Sequence, residues 1–217
     1  MKFAFVVSAV SGLALCASPA AAQVCQGDLS FRNSSTHVGA ALAFGDNSTS
    51  FGGGATFGHR QGLYAGASVG MSSYDGIDGN AVAVNGGIGY AMPLQQRSKW
   101  QVCPGATLSL GFGPTIGDTH FATQTLSLGA SVGTAVPLNK TVNLLPFGSA
   151  ALGHTRASAK VNGNSTSASD NYLLLGMGAG FQFSPSLVLR PALQLAAGAD
   201  LIDDTIFGLS VTFALPR

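Results

Sequence analysis

Ten stretches of this 217-residue chain alternate, residue by residue, between apolar side chains and small or polar ones. Val38, Ala40, Leu42 and Phe44 share one parity, with Gly39, Ala41 and Ala43 between them. Phe51 to Phe57, Leu63 to Met71, Val82 to Tyr90, Val102 to Phe112 and Leu126 to Val136 repeat the scheme. So do Leu173 to Phe183, Leu187 to Leu195 and Phe207 to Leu215. The stretch from Val142 to His154 is less regular, and Pro146 within it suggests a bulge or a local change of phase. Side chains on a strand point to opposite faces with period 2, so each stretch carries one apolar face and one small or polar face. Most stretches reach the roughly 9–11 residues that a tilted membrane-spanning strand needs. The expectation is an all-β fold of ten antiparallel strands, or eight if the weakest pair merges into loops.

What lies on the second face decides the architecture. Only 9% of the residues are charged, every acid is Asp, and 30 residues are Gly, whereas soluble domains carry about 25% charged residues. A β-sandwich or a lipocalin-like barrel turns its apolar face inward and needs a solvated exterior, which Gly, Ala and Ser supply poorly. These soluble secreted barrels remain the competing reading. Turning the apolar face outward to lipid and the small residues inward gives a transmembrane up-and-down β-barrel. Closure is then obligatory, because strand edges cannot be hydrated in hydrocarbon.

The first residues have a different character. Lys2 precedes an apolar run from Phe3 to Leu15, and Ala20-Ala21-Ala22 fits a small-residue cleavage site. Residues 1–22 are read as a signal peptide, 23–35 as a periplasmic N-terminal segment and 36–217 as the barrel. Cys16 follows Leu15, where a lipoprotein signal needs a small residue, so lipidation is disfavoured. Loss of Lys2 leaves nine basic and nine acidic residues.

That neutrality is unevenly distributed. One alternate set of breaks, at 45–50, 73–80, 113–119, 158–170 and 198–204, holds eight of the nine Asp residues, among them Asp200, Asp203 and Asp204. The other set, at 59–62, 92–99, 137–141 and 184–186, carries Arg60, Arg97, Lys99 and Lys140 and no acid. Long acidic loops outside and short turns in the periplasm match the barrel rule. Aromatic residues fall towards the two ends of the strands. Phe44, Phe51, Tyr74, Phe112, Phe121, Tyr172 and Phe207 lie near the outer end; Phe57, Tyr64, Tyr90, Trp100, Phe181, Phe183 and Phe213 lie near the periplasmic end. Phe147 is the exception to the two girdles.

In this pattern the mature chain resembles the small Gram-negative outer-membrane barrels of the OmpA/OmpX type. The last strand, Gly208-Leu209-Ser210-Val211-Thr212-Phe213, is similar to the C-terminal signal read by the barrel-assembly machinery, which would assign that role to Gly208, Val211 and Phe213. The sequence departs from the signal in Ile206, where a polar residue is common, and in the four residues that follow Phe213. The resemblance implies residence in the bacterial outer membrane among lipid and lipopolysaccharide, as a monomer.

Loss of Cys16 with the signal leaves Cys25 and Cys103. Both fall at the periplasmic end, Cys103 with its side chain towards the lumen, in a compartment that permits disulfides. A Cys25–Cys103 bridge would pin the N-terminal segment across or into the periplasmic mouth; two free thiols are the alternative. Asn85, Arg190 and Gln194 are the polar residues expected in the lumen. His120 and His154, near Asp118 and Arg156, would be the groups of a rim active site of protease or deacylase type, but nothing in the sequence fixes a base, a carboxylate and a nucleophile together. Asp200, Asp203 and Asp204 match no calcium-loop spacing. Through bridging cations, an acidic rim of this kind would meet lipopolysaccharide phosphates. The G-x-G runs lack the strand-to-helix setting of a phosphate cradle, no basic patch suggests nucleic acid, and no metal or cofactor is implied. The sequence thus points to a structural barrel or a narrow passive pore for small solutes, and not to an enzyme.

Overall fold

The computed structural model describes residues 24–31, 34–59, 62–94, 99–114, 119–161, 164–199, 201 and 205–216. Ten long strands follow one another: β1 (Thr36–Phe44), β2 (Ser48–Gly58), β3 (Leu63–Tyr74), β4 (Ile77–Tyr90), β5 (Trp100–Phe112), β6 (Thr119–Thr134), β7 (Asn143–Val161), β8 (Asn164–Ser184), β9 (Leu187–Ala197) and β10 (Thr205–Ala214). Each pairs antiparallel with the next. β10 then closes on β1, from His37 opposite Ala214 to Phe44 opposite Phe207. The ring leaves no long edge unpaired, as a wall in lipid requires. Ten strands, not eight, make the barrel. Among the described residues the helical content is one 3-10 turn at Val24–Gln26.

The alternation sorts the side chains as the sequence expects. Phe51, Val84, Ile88, Leu128, Leu152 and Met177 stand on the outer wall, with Ile88 63% and Leu152 70% exposed. Ala83, Ser50, Ser72, Ser109, Thr125 and Thr155 face inward and are buried. Pro146 produces neither bulge nor phase change. The β6–β7 ladder reaches Gly133 opposite Phe147 and resumes at Val136 opposite Leu144 in the same register. Pro146 sits in that gap, where its missing N–H interrupts nothing. Register shifts occur instead between Ser73 and Tyr74 and between Gln182 and Ser184.

Two expectations are corrected. The outer breaks at 45–50, 73–80 and 158–170 are much shorter than the loss of alternation suggests. β2 begins at Ser48, β4 begins at Ile77, and β7 and β8 stay paired to Val161 opposite Asn164. Asp170 therefore lies within β8, opposite Thr155. Beyond the lipid the outward face of a hairpin meets water, so backbone pairing continues without hydrophobic alternation to reveal it. The girdles are also smaller than expected. Tyr64, Tyr74 and Tyr172 are buried in the lumen, while Phe44, Phe51, Phe112 and Phe207 at one end, and Phe57, Tyr90, Trp100, Phe183 and Phe213 at the other, are exposed on the wall. An even strand count puts both chain ends at the same mouth.

Candidate functional site in the lumen

Residues 24–31 lie inside the barrel, in the half next to the chain ends. The 3-10 turn closes with Gly27 N–H donating to the Val24 carbonyl at 3.1 Å, and Gly27 takes a φ of 71°, which a side chain would resist. Cys25, Asp28, Leu29 and Phe31 are all buried to within 1%. Cys25 is joined to Cys103 on β5 by a disulfide, with Cα atoms 6.0 Å apart. The segment is thus a plug anchored covalently to the wall.

Each plug residue has a receptor in the wall. Phe31 stacks on His37 with ring centroids 4.4 Å apart and lies 6.5 Å from Tyr64. Gly58 leaves the slot for the Phe31 ring, since a Cβ there would collide with it. Burying such a ring contributes about 1.5–3 kcal/mol. Leu29 packs against Leu145 and Val188. The Asp28 carboxylate accepts from its neighbour's Leu29 N–H at 2.7 Å and from Thr212 Oγ1 at 3.0 Å. Burial pushes this carboxyl above the ordinary range, against the pull of the Arg190 guanidinium and those two hydrogen bonds. Gln26 donates through Nε2 to the Tyr64 hydroxyl at 3.3 Å.

Arg190 links plug and wall. Its Nη1 donates to the Gln26 carbonyl and its Nε to Ser210 Oγ, both at 3.1 Å. The guanidinium carbon stands 5.8 Å from the centre of the Phe147 ring, a cation–π distance. Gly178 leaves room for the Phe147 ring, and Gly180 for the Gly27 carbonyl. Beyond the plug, towards the outer half, lies a cavity of about 170 Å³. Gln26, Tyr64, Ser131, Phe147, Arg190 and Gln194 are among its lining residues. Further out, Thr125, Thr155 and Tyr172 form a hydrogen-bonded chain with both links at 2.8 Å, and Ser50 pairs with Ser72 at 2.8 Å.

Of the three polar lumen residues read from the sequence, Arg190 and Gln194 belong to this cavity. Asn85 is buried on β4 between Ser68 and Ser109, with no hydrogen-bond partner for its side chain. Gly208, Val211 and Phe213 lie on β10 along the closing seam. Past Phe213, Leu215 N–H donates to the Thr36 carbonyl at 2.9 Å, so the residues that follow the aromatic extend the seam. His120 and His154 are not brought together. His120 stands opposite Lys160 and His154 opposite Leu126, six positions apart, or about 20 Å along the strand. Both are exposed on the outer face, and His154 Nδ1 is bonded to Asn171 Oδ1 at 2.8 Å. The rim-enzyme geometry is therefore absent at these residues. Asp118, Asp200, Asp203 and Asp204 lie outside the described residues, as do residues 1–22.

Sequence reasoning missed Asp28, Phe31 and Phe147 as site residues, although Asp28 and Phe147 each left a trace. Asp28 is the one acid outside the outer set of breaks, and Phe147 the one aromatic off the girdles. Both exceptions mark the plug and its receptor.

Residues 7–213 match the family model described as outer membrane protein beta-barrel domain. Among solved structures, the chain is similar to the β domain of the Bordetella autotransporter BrkA, at 12% identity over 83% of this chain and 98% of that one, with a TM-score of 0.53. It is also similar to the attachment invasion locus protein Ail of Yersinia pestis, at 18% identity over 84% of this chain and 97% of that one, with a TM-score of 0.45. Neisserial surface protein A matches at 15% identity over 84% and 98%, with a TM-score of 0.40. At such identities the likeness is one of fold. No curated protein sequence matches the chain.

Proposed function

The chain belongs to the bacterial outer membrane protein β-barrel family, and we propose that within it this protein is a structural barrel closed by its own N-terminal segment. The observation that carries the reading is the plug itself. A largely buried segment is bonded to the wall at Cys103, held polar-to-polar at Arg190 and Thr212, and seated by Leu29 on Leu145 and by the Phe31 ring on His37. A conducting pore would have to leave that cross-section to water. In this reading a signal peptide is removed before Gln23, and the last strand engages the assembly machinery through Gly208, Val211 and Phe213. The monomer then stands in lipid and lipopolysaccharide.

A second reading is a narrow passive pore opened when the plug leaves. The small, polar lining and the cavity beyond the plug favour it. Single-channel recording in a planar bilayer separates the two. The oxidised protein is expected to carry no steady current, and a steady open channel in that state would overturn closure. Openings that appear on reduction of the disulfide would establish the pore; silence in both states would remove it.

A further inference from the structure

The cavity beyond the plug contains a buried cation without an ion-pair partner. Arg190 is 7% exposed. Its two hydrogen bonds go to neutral oxygens, the Gln26 carbonyl and the Ser210 hydroxyl. A guanidinium has five N–H donors, so three are left over. The nearby carboxyl, Asp28, interacts with Arg190 through its field, while its oxygens accept from Leu29 N–H and Thr212. Among the described residues no carboxylate forms an ion pair with Arg190. A buried charge is costly unless it is paired, and Arg190 lines the cavity.

The walls define what would fill that space. Ser131 lines the same cavity, is 6% exposed, and has no partner for its hydroxyl. Gln194 supplies a carboxamide, and the Phe147 and Tyr64 rings, with Ala192 and Gly176, give an apolar surround. At about 170 Å³ the volume resembles that of a protein cavity of about 150 Å³ that holds benzene. We propose that this cavity is a binding site for a small monocarboxylate with a ring-sized hydrocarbon body. The carboxylate lies on the free edge of Arg190 and the body lies against Phe147 and Tyr64. Such a ligand neutralises the guanidinium and gives Ser131 an acceptor. A dianion would bring one charge too many, and a neutral isostere would leave Arg190 unpaired. The site goes beyond closure of the barrel: the plug enters it through Gln26, which lines the cavity and whose carbonyl fixes Arg190, and it stands whether or not the barrel conducts.

Benzoate is the probe, titrated calorimetrically into the folded, oxidised protein in detergent, with benzamide as the neutral control. Benzoate is expected to bind saturably at one site and benzamide not to. Arg190→Gln is expected to weaken benzoate by about tenfold or more, the loss of a charge-assisted contact. Thr107→Phe, on the opposite wall of the cavity and away from the plug contacts, fills the space with Arg190 intact and is expected to abolish binding. The folded state of each variant is checked by heat-modifiable migration. Absence of saturable benzoate binding, equal binding of benzamide, or unchanged binding in Thr107→Phe would each overturn the proposal. The last arm decides the matter even if Arg190→Gln fails to fold.

Discussion

Gly58, Gly133, Gly178 and Gly180 face the lumen at places where a Cβ would meet the plug or its receptor ring: Phe31 at Gly58, Val24 and Cys25 at Gly133, Phe147 at Gly178, and the Gly27 carbonyl at Gly180. The last is the least forgiving, because the obstacle is backbone on both sides and neither can rotate away. Gly180→Ala is therefore expected to displace the turn at Gly27 while leaving β8 paired with β7 and β9. The check is alkylation of Cys25 after mild reduction, with faster labelling expected in Gly180→Ala than in the parent and unchanged heat-modifiable migration. Equal labelling rates would show that the turn adapts. The excess of glycine was legible in the sequence as a small inner lining. That some of these glycines are cut-outs for a segment over a hundred residues away was not, because the collision exists only once the barrel has closed. The tyrosines taught a related lesson. Tyr64 lies on the small-residue parity of β3, so its inward direction was written in the alternation; position near a strand end placed it wrongly in a girdle.

Strands were legible wherever one face meets lipid and the other does not, and their ends were not. The β7–β8 hairpin shows why. From Ser158 to Ser167 the sequence reads Ser, Ala, Lys, Val, Asn, Gly, Asn, Ser, Thr, Ser, with no apolar period, yet the ladder runs from Ser158 opposite Ser167 to Val161 opposite Asn164. Pairing there, within the hairpin and to β6, rests on backbone hydrogen bonds in competition with water and worth little net. The tip is accordingly expected to be dispensable. Replacing residues 159–166 by Asn-Gly, the pair suited to a two-residue hairpin turn, keeps the Ser158–Ser167 register. The shortened protein should fold, migrate with the same heat-modifiable shift, and melt within a few degrees of the parent. A lost folded band would mean that the tip directs assembly of β7 and β8, contrary to the view that lipid-facing rows do so.

At the scale of the molecule, barrel and plug are unequal partners. The wall closes through ten ladders that never involve residues 24–31, whereas the plug is held by its contacts with that wall. The disulfide therefore acts on one equilibrium more than the other. Across the 78 residues between Cys25 and Cys103 the chain-entropy model gives about 4–5 kcal/mol against global unfolding. For release of the plug from an intact barrel the relevant tether is the short stretch from Cys25 to the start of β1 at Thr36, for which the same model gives only about 3 kcal/mol. Once the bridge is gone, Asp28, Phe31 and the Gln26 carbonyl still hold the segment, so it should remain seated but open far more often. In the Cys25→Ser, Cys103→Ser double variant, amide exchange across residues 24–31 is expected to rise by roughly 100-fold. The strand amides, which open only with the ladders, should still exchange far more slowly than residues 24–31. Loss of strand protection together with the plug would show that the barrel needs its plug to close, and unchanged exchange in 24–31 would show that packing alone holds it. Selective loosening would place the effect of the bridge within the folded state on the mouth of the barrel.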